Sequence, residues 1–292
     1  MLDLIDFILN VAGLLLWLNW RSVRLDPFRR GAPATLAGTV RRAEPRRLKR
    51  WHFLAGLAAL LFIRAVFYGQ IGPAVNWAPK LDLLVVSPAF PLVRSGRVFF
   101  LSVLLFSILS FVRVLVVFYF WLLALAVINR RVTNPDPLQK LLLVQLGRAA
   151  RWPLFVQLIF PFIASAALWM LCHGILVRVG VTSPVRSTML LLEQGLVLGL
   201  CLYVSLKFLV VAFPFTYLVV NYVYLGSNPV WEFISTTSRN ILSPLNRLPL
   251  RFGKLDLAPV IAIILLVFLL YWPAPAHVRY FMDRHHLTFW PQ

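Results

Sequence analysis

The chain has 292 residues, of which 60% are hydrophobic and only 13% charged. A soluble domain carries roughly 25% charged residues, so a water-exposed surface of ordinary extent is excluded and the chain belongs in a membrane. The net charge of +19, from 29 Lys and Arg against 10 Asp and Glu, must then be read by position, because basic residues gather in cytoplasmic loops. In a soluble protein such an excess would signify nucleic acid; here no nucleic-acid partner is expected.

The first apolar run is Leu4–Trp20, short for a spanning helix and ended by Trp17 and Trp20 at headgroup level. The N-terminal residues hold Asp3 and Asp6 and no basic residue, the opposite of a cleavable signal peptide. Residues 21–50 carry ten Lys and Arg. Next to a membrane such a loop attracts anionic lipid, although an ordinary cytoplasmic loop has the same composition. The second run, Trp51–Ile71, is interrupted by Arg64.

Prolines 73, 79, 88 and 91 break up the stretch that follows. The third run, Val98–Ile128, is too long for one perpendicular crossing and has Arg113 in its middle. In the loop 129–152, Leu138, Leu141, Leu142 and Leu146 fall at helical spacing, which predicts a short helix on the membrane surface. The fourth run is Pro153–Val177. The fifth, Met189–Leu225, contains Glu193 and Lys207, and Pro214 is its expected kink. As one helix it would be ~55 Å long against a hydrocarbon core of ~30 Å, so it tilts or part of it lies flat or re-enters. A basic loop, 226–256, leads to the sixth run, Leu257–Trp272.

The loops after runs one, three and five hold ten, five and four Lys and Arg; the loops after runs two and four and the tail hold three, two and two. This alternation puts both ends of the chain outside and the three basic loops in the cytoplasm. The expected fold is therefore all-α, a single polytopic membrane domain over residues 1–292 with about six spans, N-out and C-out.

An internal repeat is also visible. At an offset of 94 residues, RVLVVFYFWLLALAVINRRVTNP (113–135) lies over KFLVVAFPFTYLVVNYVYLGSNP (207–229) without a gap. Arg113 then matches Lys207, Asn134-Pro135 matches Asn228-Pro229, and farther on, with the offset grown to 98, Pro161 matches Pro259. A weaker copy has Asp26-Pro27 in the same place. Three tandem hairpins follow, at 1–72, 98–178 and 188–273. The Asx-Pro pairs stop the incoming helix, and the Asx side chain caps the next one with Pro at its first position.

The third hairpin carries further motif residues: Pro244 within Ile241–Leu245, Leu248-Pro249, and Gly253, Asp256 and Pro259 ahead of the last apolar run. With Asn228-Pro229, they resemble the YggT family of integral membrane proteins, best over 228–270. Ala258 stands where the family pattern has Ser, and the second hairpin keeps only Asn134, Pro135, Pro153 and Pro161. The resemblance implies a multi-pass protein of a bacterial inner membrane, linked to osmotic stress and cation homeostasis, to the division region, or to assembly of membrane complexes. It implies no reaction.

The candidates for chemistry are few. Arg64, Arg113, Glu193 and Lys207 are intramembrane charges. A basic residue at a helix centre costs ~2.5–3.5 kcal/mol on insertion scales, which a long apolar run absorbs. Arg113 and Lys207 stand far enough from their Asn-Pro turns to snorkel to the outer interface; the other reading is an anion contact or an ion pair with Glu193. Arg64 has the same two readings. Asp256 is read as a helix cap or as a cation contact. His52 and His173 fall on opposite sides of the bilayer and share no iron. Cys172 and Cys201 lie in separate apolar runs without metal spacing. No catalytic motif appears, so no enzyme, cofactor or metal is expected. The leading expectation is a membrane scaffold that docks an unidentified protein; the other is a transport role.

Overall fold

The computed structural model describes residues 2–22, 50–74, 79–81, 90, 97–132, 136–182, 184–185, 187–223 and 228–243, and short pieces at 251–252, 255–256, 260–261, 264–265, 267–268 and 280. Helix dominates, as the apolar runs require. The long helices are α1 (Leu2–Ser22), α2 (Arg50–Ala74), α3 (Arg97–Ile128), α5 (Leu154–Arg178), α6 (Thr188–Val204) and α7 (Leu206–Tyr222). Two shorter helices, α4 (Pro137–Leu146) and α8 (Pro229–Leu242), follow α3 and α7. A two-residue antiparallel pair, β1 (Arg251–Phe252) and β2 (Leu255–Asp256), sets Arg251 opposite Asp256.

Among the described residues five segments are long and apolar enough to cross a membrane: Leu4–Arg21, Arg50–Ile71, Phe100–Ile128, Leu154–Arg178 and Thr188–Asn221. Much of their apolar surface faces outward. Phe7, Phe62, Ile63, Phe155 and Leu171 are among the exposed large side chains. That is stable in lipid and would not be in water, where apolar burial drives folding. The sixth apolar run falls mostly outside the described residues; those described in it, such as Val260, Ile264 and Phe268, are helical and exposed.

The chain forms two compact units. The first comprises residues 1–79 and 92–115, hence α1, α2 and the first part of α3. The second comprises 80–91 and 116–292, which takes the rest of α3 and everything from α4 onward. In the first unit α1 packs along α2. Gly13 permits the approach of Phe111, since a Cβ there would lie 3.0 Å from its ring.

In the second unit α5 packs on α6, and α8 on both α7 and α4. The α5–α6 contact runs through Gly195 and Gly199, four residues apart on one helix face. A Cβ at Gly195 would lie 3.1 Å from the Ala166 backbone, and one at Gly199 2.7 Å from the Phe162 ring. Small residues at this spacing let helices approach closely where no hydrophobic effect drives association. A second apolar cluster joins Leu123, Leu125 and Ala126 of α3, Leu142 and Leu146 of α4, Leu209 of α7 and Phe233 of α8.

Two expectations change and one holds. The fifth run is not one helix kinked at Pro214: the interruption is at Ser205, between α6 and α7. Ser205 Oγ donates back to the carbonyl of Leu202 at 2.6 Å and accepts from Trp121 Nε1 at 3.1 Å. Back-bonding of this kind bends helices, whereas Pro214 lies buried inside α7. The loop 226–256 contains α8 and the β1–β2 pair. The helix predicted over 138–146 is present as α4, and it starts at Pro137 with Asp136 as its N-cap residue.

Candidate functional site

The first unit has a charge cluster in its interior. Arg64 is 1% exposed, in the middle of α2. A guanidinium cannot shed its charge, so burial in an apolar helix bundle demands a counter-ion and hydrogen-bond acceptors. Both come from α1. Asp6 and Asn10 are four positions apart and therefore on the same helix face. Arg64 Nη2 donates to Asp6 Oδ1 in a salt bridge, and Nη1 donates to Asn10 Oδ1 at 2.9 Å.

The carboxylate of Asp6 is fully engaged. Tyr68, one turn beyond Arg64, donates its hydroxyl to Oδ1 at 3.2 Å. Asn10 Nδ2 and Ser110 Oγ each donate to Oδ2 at 3.1 Å. Asn10 Nδ2 also reaches Ser110 Oγ at 3.0 Å. Four residues from three helices thus supply two donors to each carboxylate oxygen. The guanidinium carbon lies 5.6 Å from the ring centroids of both Tyr68 and Phe106, close enough for cation–π attraction. Ser107 adds a bond from α3 to the carbonyl of Leu61 at 3.0 Å. A carboxylate saturated in this way has no lone pair left for a substrate. The chemistry open to the cluster is to hold α1, α2 and α3 together through an ion pair whose guanidinium is fully buried.

In the second unit a neutral network does the corresponding work. Asn129 ends α3 and is 1% exposed. Its Nδ2 donates to Thr237 Oγ1 at 2.9 Å, its Oδ1 accepts from Asn240 Nδ2 at 2.8 Å, and its carbonyl accepts from Gln139 Nε2 at 3.1 Å. One buried side chain and its backbone therefore fasten both α4 and α8 to the end of α3. The amphipathic α8 presents Phe233, Thr237, Ser238 and Leu242 inward. It leaves Val230, Glu232 and Arg239 exposed.

The residues singled out in the sequence fall as follows. Arg64 is paired and buried, so the snorkelling reading does not hold for it. Arg113 is half-buried on α3 and Glu193 half-buried on α6. Lys207, half-buried on α7, holds its ammonium 5.0 Å from the Phe208 ring centroid. Asn228 caps α8, its side chain accepting from the Val230 amide at 3.0 Å with Pro229 at the first helical position, as its Asn-Pro pair predicts. Asn134 and Pro135 lie outside the described residues, and the helix start seen in that hairpin is Asp136-Pro137. Pro153 is the N-cap residue of α5, and Pro161 is buried inside that helix. Asp256 stands in β2; residues 257–259, where the helix it was to cap would begin, are outside the described set, as are Pro244, Pro249 and Gly253.

Cys172 and Cys201 are both free thiols. His173 is buried against Trp169, ring centroids 5.7 Å apart, and His52 is exposed. No group of three potential metal-binding side chains is present among the described residues.

Sequence reasoning missed Asp6, Asn10, Tyr68, Ser110 and Asn129. Asp6 was weighed only against a signal peptide. The usable signal was the pair of four-residue spacings, Asp6 with Asn10 and Arg64 with Tyr68, each placing polar groups on one face of an otherwise apolar helix.

The helices and their buried polar clusters define an all-α polytopic membrane protein. Comparison of the chain with family models, with curated proteins and with solved structures returns no match.

Proposed function

We propose that the chain is a non-enzymatic scaffold or assembly factor of a bacterial inner membrane, of the YggT type. On this reading α4 and α8 form a docking surface for a protein partner at the cytoplasmic face. The observation that carries it is the Asn129 network, which fastens two amphipathic helices to the end of a spanning helix. A surface held by buried, mutually bonded polar groups is pre-organised, and binding to it forfeits little conformational entropy. The recurrence of a Pro-started amphipathic helix after both α3 and α7 supports the reading of tandem hairpins. Six spans with both ends outside, and a role in osmotic stress or envelope biogenesis, belong to the same proposal.

A photo-crosslinker at exposed Arg239 or Val230 tests the docking surface in native membranes, with lipid-facing Ile163 as the control position. The reading expects one defined protein adduct from α8 that is absent at Ile163. Adducts identical at all three positions would overturn it.

The half-buried intramembrane charges Arg113, Glu193 and Lys207 favour a second reading, ion transport, because intramembrane ionisable residues mark ion paths in many membrane proteins. Purified protein in liposomes would then support an ion flux that falls in Lys207→Leu or Asp256→Asn. Absence of flux in the wild-type protein would remove this reading and leave the scaffold standing.

A further inference from the structure

The corner between α4 and α5 is built in a way the docking surface does not use. Gly147 ends α4 with φ 57° and ψ −123°, a backbone conformation that side-chain-bearing residues rarely adopt. The chain then makes a single 3₁₀ turn, Gly147–Arg151. Such a turn has three residues per revolution, so side chains three apart eclipse, ~6 Å from each other along the axis. Arg148 and Arg151 are three apart. Both are exposed, and no carboxylate among the described residues pairs with either.

The turn is held from beneath. Gln157 on α5 is 3% exposed, and its Nε2 donates to the carbonyls of Ala149 and Ala150, both at 3.0 Å. These carbonyls lie between the two arginines, so the bonds hold the backbone that aims them. Trp152 follows at once, half-buried, with its ring 4.9 Å from that of Phe160. Leu154 and Phe155, 45% and 73% exposed, then open the apolar surface of the spanning α5. Tryptophan concentrates at the membrane–water interface. The two exposed arginines therefore adjoin in the chain a tryptophan of the kind that marks headgroup level and an exposed apolar surface.

Guanidinium forks match phosphate oxygens bidentately. We propose that Arg148 and Arg151 form a specific clamp for the phosphodiester of an anionic phospholipid, whose acyl chain lies along Leu154 and Phe155. Free phosphate shares the headgroup chemistry; the exposed apolar residues beneath the clamp select the lipid. The proposal is independent of the scaffold reading.

The test uses the full chain in detergent micelles, with bound lipid counted by native mass spectrometry during titration with phosphatidylglycerol, phosphatidylcholine or inorganic phosphate. Phosphatidylglycerol is expected to bind ahead of phosphatidylcholine. Arg148→Gln with Arg151→Gln should weaken phosphatidylglycerol binding about 30-fold, from ~1 kcal/mol per cation near the surface. Arg130→Gln with Arg131→Gln removes the same charge from the exposed end of α3 and should change it little. Arg148→Lys with Arg151→Lys keeps the charge and any fold that depends on it, and should still lose part of the affinity. Gly147→Ala leaves the charge untouched and should also weaken binding by straining the turn. Equal losses from the two glutamine pairs would show diffuse attraction and overturn the clamp. So would full affinity in the lysine pair, or phosphate competing with phosphatidylglycerol at equal concentration.

Discussion

Asp6→Asn should destabilise the first unit more than Arg64→Met, although both remove the same ion pair. The reason is the uneven burial of the partners: the Arg64 side chain is 0% exposed and that of Asp6 18%. With Asn at position 6 the guanidinium stays charged and buried without its counter-ion, and breaking a buried pair in this sense costs ~3–5 kcal/mol. The amide makes matters worse. Four donors converge on the two oxygens of Asp6; asparagine offers them one oxygen and adds two N–H groups of its own. With Met at position 64 the carboxylate keeps Asn10, Ser110 and Tyr68 as donors and has partial access to water. Met retains much of the packing against Tyr68 and Phe106, so the loss is nearer ~1–3 kcal/mol.

The double variant carries no buried charge. It should be about as stable as Arg64→Met alone, so the coupling equals the Asp6→Asn loss, ~3–5 kcal/mol. Equilibrium unfolding of the full chain in mixed micelles, followed by circular dichroism, gives all four corners of the cycle. Strict additivity, with coupling below ~0.5 kcal/mol, would refute the ion-pair account. A larger loss in Arg64→Met than in Asp6→Asn would refute the assignment of the penalty to the stranded guanidinium.

Asn129→Leu removes the bonds to Thr237 and Asn240 and leaves the buried Thr237 hydroxyl without its donor, at ~1–3 kcal/mol, with a smaller loss at the half-buried Asn240. Amide hydrogen exchange over α8 should accelerate at least tenfold while exchange in α1 and α2 stays unchanged; uniform exchange across the chain would count against a local clamp. Gly199→Ala should cost ~1–3 kcal/mol by driving a methyl group into the Phe162 ring, and Phe162→Ala in the same chain should recover part of the loss in thermal unfolding. If Gly199→Ala alone is neutral, the close α5–α6 approach is not what holds that pair. For topology, single cysteines at Ser183 and Ser227, in a chain with Cys172 and Cys201 replaced by Ala, should label from opposite membrane faces; labelling from one face would exclude a crossing by α6 and α7.

Much of the local structure was legible in the chain. Residue-by-residue hydrophobicity and its 3.6-residue period are local properties, so the five apolar helices and the amphipathic α4 could be read directly. Asn228 with Pro229 likewise announced a helix start, because the cap bond spans two residues and needs nothing from elsewhere. Local chemistry also misled. Pro214 carries a strong helix-breaking signal, yet the interruption fell at Ser205, a residue with little signal of its own.

What remained was decided by the tertiary structure, because it depends on which helix faces meet. Arg64 in isolation is compatible with snorkelling, with an ion path or with burial. Only the packing of α1 on α2 and α3 brings Asp6, at a sequence separation of 58, into contact with it and makes the lipid-incompatible charge a fastening. Asn129 reads as an ordinary polar residue at a helix end until α4 and α8 fold over it. Gly195 and Gly199 resemble other glycines in apolar runs until α5 approaches within one methyl group of them. Hydrophobicity along the chain determines that these segments are helices in a membrane. Mutual packing alone determines which polar groups are shut inside, since a buried donor or charge is tolerated only where another segment supplies its partner.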